Sequence, residues 1–259
     1  MKYVDIHSHI AWDIDDGMPT MQDAQIALQK AQNDGIIAIA STPHVVPGQT
    51  DMKTLQYIYN RQNELSQLAK TYQIQIFHGA EMFMNHDFFQ ALENKVYLTI
   101  NASQYMLCEF DVRKDISTIE SPEDYFYEIQ IRNMTPILAH VERYFHKGID
   151  LKRIQTWKEM GVIIQVNRTS LFGLHGKTIQ KNAWELVEKG YASIICTDTH
   201  TAQGNRVEIL SDIEKMVSQR VGIQNAKCLL YTNPVHILNN EPVEKCTPIQ
   251  QKKKLFGIF

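Results

Sequence analysis

The chain has no surplus of positive charge: 26 lysines and arginines face 29 aspartates and glutamates, a net charge of −3. A protein that grips a polyanion along its surface needs the opposite balance, so general nucleic-acid binding is excluded. Long apolar runs are missing too. Stretches such as Ile36–Ala40 fall far short of the ~18 residues that a membrane span requires. The opening MKYVDIHSHI meets acids almost at once, so neither a signal peptide nor a spanning helix is expected. Cysteine is scarce, and Cys108, Cys196, Cys228 and Cys246 never fall in C-x-x-C spacing. Three of them sit in or beside apolar segments, as reduced structural thiols do, and the expected location is cytoplasmic. None is followed by Arg six positions later, so the cradle of a cysteine-dependent phosphatase is absent. The phosphate loop G-x-x-x-x-G-K-[ST], the serine elbow G-x-S-x-G and the dinucleotide fingerprint G-x-G-x-x-G are absent as well.

What is present is a βα rhythm. Short β-branched runs over 3–10, 36–44, 74–82, 105–110, 136–140, 162–167 and 192–197 read as strands. Helical periodicity fills 21–33, 53–72, 122–133, 149–160, 177–189 and 207–219. Gly35, Gly161 and Gly190 stand where helices should stop before the next strand. Roughly seven βα units without a linker suit one closed parallel barrel better than a doubly wound sheet. The expected organisation is a single barrel domain over 1–240 and a flexible tail over 241–259, where Lys252–Lys254 precede Leu255 and Phe256. Such a tail suits either recruitment to a membrane complex or simple solubility, since three charges supply about 1 kcal/mol each near an anionic surface.

In a parallel barrel the functional groups stand at the C-terminal strand ends. Here those ends carry His, Asp and Glu. Strand one ends in Asp5-Ile6-His7-Ser8-His9, and alternation points His7 and His9 to one face about 7 Å apart. Asp16 follows in an acidic turn, then His44, Glu81, Glu109 and His140 at successive strand ends, and Asp198 and His200 after the last strand. A lone histidine at a strand end is more often structural than a ligand. Nine such groups cannot be buried together unless cations neutralise them, because carboxylates repel and unpaired buried charge is costly. Three or four ligands per ion suffice for two or three ions, and a set without thiolate suits Mn²⁺, Fe or Zn²⁺. Glu81 is read as the bridge.

The ordered series H-S-H, D-D-G, T-P-H, H-G-A-E, A-H-V-E-R-Y and T-D-T-H resembles the polymerase-and-histidinol-phosphatase (PHP) superfamily. The segments 98–110, 165–171 and 139–144 resemble, more narrowly, the manganese-dependent tyrosine-protein phosphatases of bacterial capsule and exopolysaccharide operons, the CpsB/YwqE type. That resemblance runs from Asp5 to about Pro234. It implies an α/β fold, a distorted TIM-like (β/α)7 barrel with a trinuclear centre on the nine residues named, and two phosphate-contacting arginines matching Arg143 and Arg206. It also implies a partner, the phosphorylated tyrosine-rich tail of a cognate bacterial tyrosine kinase. After the last strand the chain departs from the family's S-D-A-H-N, reading Thr197-Asp-Thr-His-Thr-Ala-Gln-Gly-Asn-Arg206. The rival readings are a histidinol-phosphate or other small phosphomonoester phosphatase, an amidohydrolase that also opens on H-x-H, an aspartyl-phosphate enzyme built on Asp13-Ile14-Asp15, and a metal-stabilised scaffold docking on a kinase.

Overall fold

A computed structural model describes residues 1–247; the Lys252–Phe259 cluster lies outside the described residues. The first half runs β1 (Tyr3–Ser8), α1 (Met21–Asp34), β2 (Ile36–Ser41), β3 (His44–Val45), α2 (Met52–Ala69), β4 (Gln75–His78), β5 (Glu81–Phe83) and α3 (Phe88–Glu93). Then follow β6 (Tyr105–Glu109), α4 (Pro122–Gln130), β7 (Thr135–Leu138), α5 (Leu151–Glu159), β8 (Ile163–Asn167), α6 (Arg168–Leu171) and α7 (Lys177–Glu188). The chain continues with β9 (Ile194–Cys196), α8 (Ser211–Val221), α9 (Ile223–Lys227) and α10 (Asn233–Leu238).

All strand pairs are parallel. One sheet is ordered β1-β2-β4 and the other β3-β5-β6-β7-β8-β9. Two of the expected strands are each broken in two, at Thr42-Pro43 and at Gly79-Ala80, and every break moves the chain from the first sheet to the second. Pro43 has no N–H for a ladder, which explains the first break. At the second, a Cβ on Gly79 would stand 3.3 Å from the Thr42 side chain and 3.4 Å from the Ile100 backbone, so a larger residue there would crowd both. The far edges are tied together as well: an isolated parallel bridge joins Ser8 to Thr199, His9 N–H donates to the Thr199 carbonyl (2.9 Å), and Asp198 N–H donates to that of His7 (2.9 Å). The last strand thus returns to the first, as a barrel requires.

Alternation divides the strands between two apolar clusters. Val4 and Ile6, Ala38 and Ala40, Tyr105 and Leu107, and Ile194 and Cys196 form the smaller one, sealed by Ile237 and Leu238 of α10. Met106 and Cys108, Ile164 and Val166, and Ile195 join the larger, which includes the buried stripes of α1, α2, α5 and α7. The helix expected from 207 begins only at Ser211. Asp34 supplies the reason: its carboxylate accepts from the N–H groups of Leu210 (2.7 Å) and Ser211 (3.0 Å), capping the helix from outside, while Glu208 and Leu210 are drawn fully inside. Helices α3, α9 and α10 were not anticipated from periodicity; they have six residues or fewer, too short to display it. Among the described residues no helix is long and apolar enough to cross a membrane. All four cysteines are buried and free, and the Cys228 and Cys246 sulfurs lie 3.5 Å apart.

Candidate metal centre

The nine residues singled out from the sequence converge at one place. Glu81, first residue of β5, is the hub: its Oε2 lies 3.2 Å from His7 Nε2, 3.1 Å from His9 Nε2 and 3.3 Å from His44 Nδ1, and its Oε1 lies 3.1 Å from His140 Nε2. Glu109, at the end of β6, reaches His44 (3.1 Å) and His140 (3.5 Å). Asp198 Oδ1 stands 3.5 Å from His7 and 3.2 Å from His200. Asp16 Oδ1 sits 3.4 Å from His44 and 3.3 Å from His200. The donor atoms fall into four overlapping groups, His9/Asp16/His44/His200, His7/His9/Asp198, His7/Glu81/His140 and His44/Glu81/Glu109, each within 4.8 Å.

Local backbone chemistry aims these groups. The acidic turn after β1 folds back on the strand, with Met18 N–H donating to the His9 carbonyl (3.2 Å). A Cβ at Gly17 would meet that carbonyl at 2.3 Å, so the D-D-G turn closes only with glycine. His140 (φ 34°) and Asp198 (φ 53°) both take the left-handed conformation, turning each side chain out of the end of its strand into the cluster. Such strain in non-glycine residues persists only where the surroundings impose it, and it concentrates at functional sites.

Electrostatics explains why the cluster needs cations. Burial alone would depress the His7 imidazole, but Glu81 and Asp198 override it and hold the pKa up at about 9. His200 is likewise raised to about 9 against its burial, by Asp16 and Asp198. His140, buried with less compensation, falls to about 4. Glu109 is pushed up to about 7 by burial and by Glu81. Without cations, acids and imidazoles must share protons. The His7 and His9 Nε2 atoms face each other at 3.3 Å, an approach better suited to two lone pairs sharing one ion than to two N–H groups. Five imidazoles and four carboxylates with no sulfur therefore fit hard or borderline divalent ions.

Sequence reasoning missed the residues that orient the ligands. Asp15, next to the chosen Asp16, holds His9 Nδ1 at 2.7 Å and accepts from the N–H groups of His44 (2.8 Å) and Gly17 (2.9 Å). Gln165 Oε1 meets His7 Nδ1 (3.1 Å) and accepts from His140 N–H (2.8 Å). Its amide donates to Asn167 (2.8 Å), whose own amide donates to Asp198 (2.7 Å). With Nδ1 of His7 and His9 so engaged, both Nε2 atoms turn to the centre. The signal was legible only as polar residues alternating along the apolar β8. His78, from the H-G-A-E segment, stays apart, against Ser66 and the Tyr59 ring.

Over the cluster opens a cavity of about 380 Å³. Both arginines line it. Arg143 Nη1 is 3.8 Å from Asp198; Arg206 Nη2 is bound to Asp198 Oδ1 (3.0 Å) and His200 Nε2 (3.1 Å). Among the described residues no serine, threonine, cysteine, tyrosine or lysine lines the cavity.

A family model described as "Capsular polysaccharide synthesis, CpsB/CapC" matches residues 3–239. The chain belongs to the CpsB/CapC family. It is 27% identical over 245 residues to the tyrosine-protein phosphatase CpsB of Streptococcus pneumoniae, covering 92% of this chain and 99% of that protein. Over 264 residues it is 25% identical to the tyrosine-protein phosphatase YwqE of Bacillus subtilis, covering 99% of this chain and all of the relative. In fold it matches, with a TM-score of 0.82, 22% identity and coverage of 96% of this chain and 100% of the other, a chain from the crystal structures of YwqE from Bacillus subtilis and CpsB from Streptococcus pneumoniae, described as unique metal-dependent tyrosine phosphatases. The parallel sheets and helices of this chain thus carry the α/β architecture of its family.

Proposed function

We propose that this chain is a metal-dependent protein-tyrosine phosphatase that acts on the phosphorylated tyrosine-rich tail of a bacterial tyrosine kinase in capsule or exopolysaccharide synthesis. The observation that carries the reading is the convergence of His7, His9, His44 and His140 on Glu81 beneath a cavity that Arg143 and Arg206 also line. The relatives' activity supports it. His7, His9, Asp16, His44, Glu81, Glu109, His140, Asp198 and His200 would hold two or three ions, Mn²⁺ in our reading. Bound there, such ions lower the pKa of water towards ~7 and offset the charge of the phosphoryl group.

The chain's own residues do the rest. Arg143 and Arg206 bind the non-bridging phosphate oxygens, and the forked guanidinium suits that geometry. Asp15 and Gln165 fix the ring orientations of His9 and His7. With no thiol or hydroxyl among the described residues lining the cavity, and its histidines and most of its acids assigned to the ions, water would attack phosphorus directly, and configuration at phosphorus should invert in labelled water. A phenolic leaving group has a pKa near ~10, so it departs without a strong general acid, which favours phosphotyrosine over phosphoserine. The proposal has the enzyme working in the cytoplasm.

The test compares the rates of phosphate release from a phosphotyrosine peptide and from histidinol phosphate. The metal-loaded protein should favour the peptide; strong chelation should abolish turnover and Mn²⁺ should restore it. A preference for histidinol phosphate would overturn the substrate assignment, and full activity in verified metal-free protein would overturn the mechanism. Arg143→Ala should raise KM and lower kcat/KM with metal content unchanged, because it removes phosphate binding but no ligand.

A further inference from the structure

Two clefts adjoin the cavity above the ligand cluster, and they differ in charge. One, sharing Asp16 and His200 with the cavity, adds Asp15 and Asp23 to its wall. The other opens past Val112, Arg113 and Arg143, residues lining both spaces, into a volume of about 490 Å³ completed by His146, His175 and Lys177. Among the described residues no aspartate or glutamate lines it. In a chain of net charge −3, beside a cavity lined by five acids, this is a local reversal of sign.

The groups there have capacity to spare. Arg113 spends Nε and one terminal nitrogen on Asp111 (2.7 and 2.9 Å) and leaves Nη1 without a partner among the described residues, on a side chain 84% exposed. Lys177 is exposed and has no carboxylate within 4.0 Å among the described residues. His146 contributes no further donor: its Nε2 donates to the Val112 carbonyl (3.0 Å) and its backbone N–H to Asp115 (2.9 Å). His175, held to Thr169 Oγ1 at 3.0 Å, is kept neutral by burial and by Arg143, so it adds no charge of either sign.

We propose that this cleft binds an anionic side chain, a carboxylate or a second phosphate, flanking the phosphotyrosine of the substrate peptide. The inference rests on the tyrosine-phosphatase reading and deepens it. A peptide whose phosphotyrosine enters the cavity must lead its neighbouring residues out over the rim. The exit walled by Asp15, Asp16 and Asp23 has no lysine or arginine among its described lining residues, whereas the exit that shares Arg143 also offers Arg113 and Lys177 and attracts an acidic segment. Charge complementarity therefore sets the direction of the chain across the mouth as well as the preferred sequence.

The experiment uses the metal-loaded protein and three phosphotyrosine peptides of equal length, with neutral neighbours, with acidic neighbours, and with a second phosphotyrosine nearby. Turnover gives kcat/KM, and fluorescence anisotropy gives affinity. The two anionic peptides should be preferred about tenfold over the neutral one at low salt, as expected from one or two partly exposed ion pairs. The preference should shrink in high salt, and Lys177→Glu should abolish or invert it. A preference confined to the doubly phosphorylated peptide identifies the ligand as phosphate; one shared with the acidic peptide shows that a carboxylate suffices. Equal kcat/KM for all three in the unsubstituted protein, or a preference undiminished in both Lys177→Glu and Arg113→Ala, overturns the cleft. If no peptide turns over but the anionic ones still bind more tightly, and Lys177→Glu removes that difference, the cleft stands and the phosphatase reading falls.

Discussion

Strand β1 helps to bury two sets of acids that meet opposite kinds of partner. Near its end, Glu81, Glu109 and Asp198 stand among imidazoles, with Asp16 at the rim. Alongside, Asp5 and Glu208 are equally inaccessible but meet hydroxyls and backbone N–H groups instead. Ser8 Oγ donates to Glu208 (2.6 Å), the Thr197 hydroxyl donates to Asp5, and Thr197 and Thr199 share a 2.7 Å hydrogen bond. Histidines hold Glu81 and Asp198 ionised, well below the ordinary carboxylate range despite their burial. Burial, then the neighbouring Asp5, pushes Glu208 well above it, so that acid keeps its proton. Neighbours, not the acid itself, decide between a proton and a cation. The two sets are also joined: Thr197 and Thr199 flank Asp198, so the hydroxyl that meets Asp5 and its partner brace the loop of a ligand.

The largest expected effect breaks this contrast at its hub. Glu81→Gln keeps the shape but removes the charge that four histidines share, so metal content measured by elemental analysis should drop and kcat should fall on the order of a thousandfold or more. If the variant keeps both its metal and its rate, Glu81 belongs with Glu208 as a proton-bearing acid. Next comes Gln165→Leu, which removes the acceptor for His7 Nδ1–H without touching a ligand. Metal affinity should weaken about 10- to 100-fold, the usual cost of losing such an orienting partner. Unchanged affinity would leave Gln165 as packing alone.

The ligands were legible in the sequence because strand alternation and the position of a strand end are both local properties: H-x-H declares its own geometry, and each later acid or histidine closes an apolar run. Asp15 was hidden by its twin Asp16, since only the fold shows which carboxylate turns back to His9 and which to His44 and His200. Gln165 and Glu208 were illegible for another reason. Their partners His7, His140 and Ser8 lie 25 to 200 residues away, and an amide or an acid inside an apolar segment does not announce its contact. The broken strands hid behind continuous β-branched runs, which periodicity cannot divide between sheets.

Glu208 gives a smaller test with a definite sign. Its folded-state pKa lies above the unfolded value of 4.5, so folding retains a proton that the unfolded chain loses as pH rises past that point. This group's contribution to stability therefore falls with pH, by about 1.4 kcal/mol per unit, until the folded pKa is passed. Glu208→Gln has no proton to retain and can still accept from Ser8. Denaturant unfolding at several pH values should show a flatter alkaline decline for the variant. Identical slopes would mean that Glu208 ionises inside the fold as Glu81 does.

The smallest expected effect concerns the thiols that lie between the two sets. Cys196 ends β9, just before Thr197, and burial, followed by the charge of Asp5, pushes its thiol well above the ordinary range. Cys108 ends one residue before Glu109, and burial, then Glu81 and Glu109, pushes it up as well. Since the thiolate is the reactive form, neither should meet an alkylating agent while the protein is folded. Cys228 is the exception in direction: hydrogen bonding from Cys246 lowers it. That pair lies against the C-terminal helices and lines none of the described clefts at the site. Alkylation of native protein should therefore label Cys228 first and change kcat/KM less than about twofold. Rapid stoichiometric inactivation at Cys108 or Cys196, with protection by phosphate, would show a nucleophile where the contrast between proton-held and cation-held acids allows none.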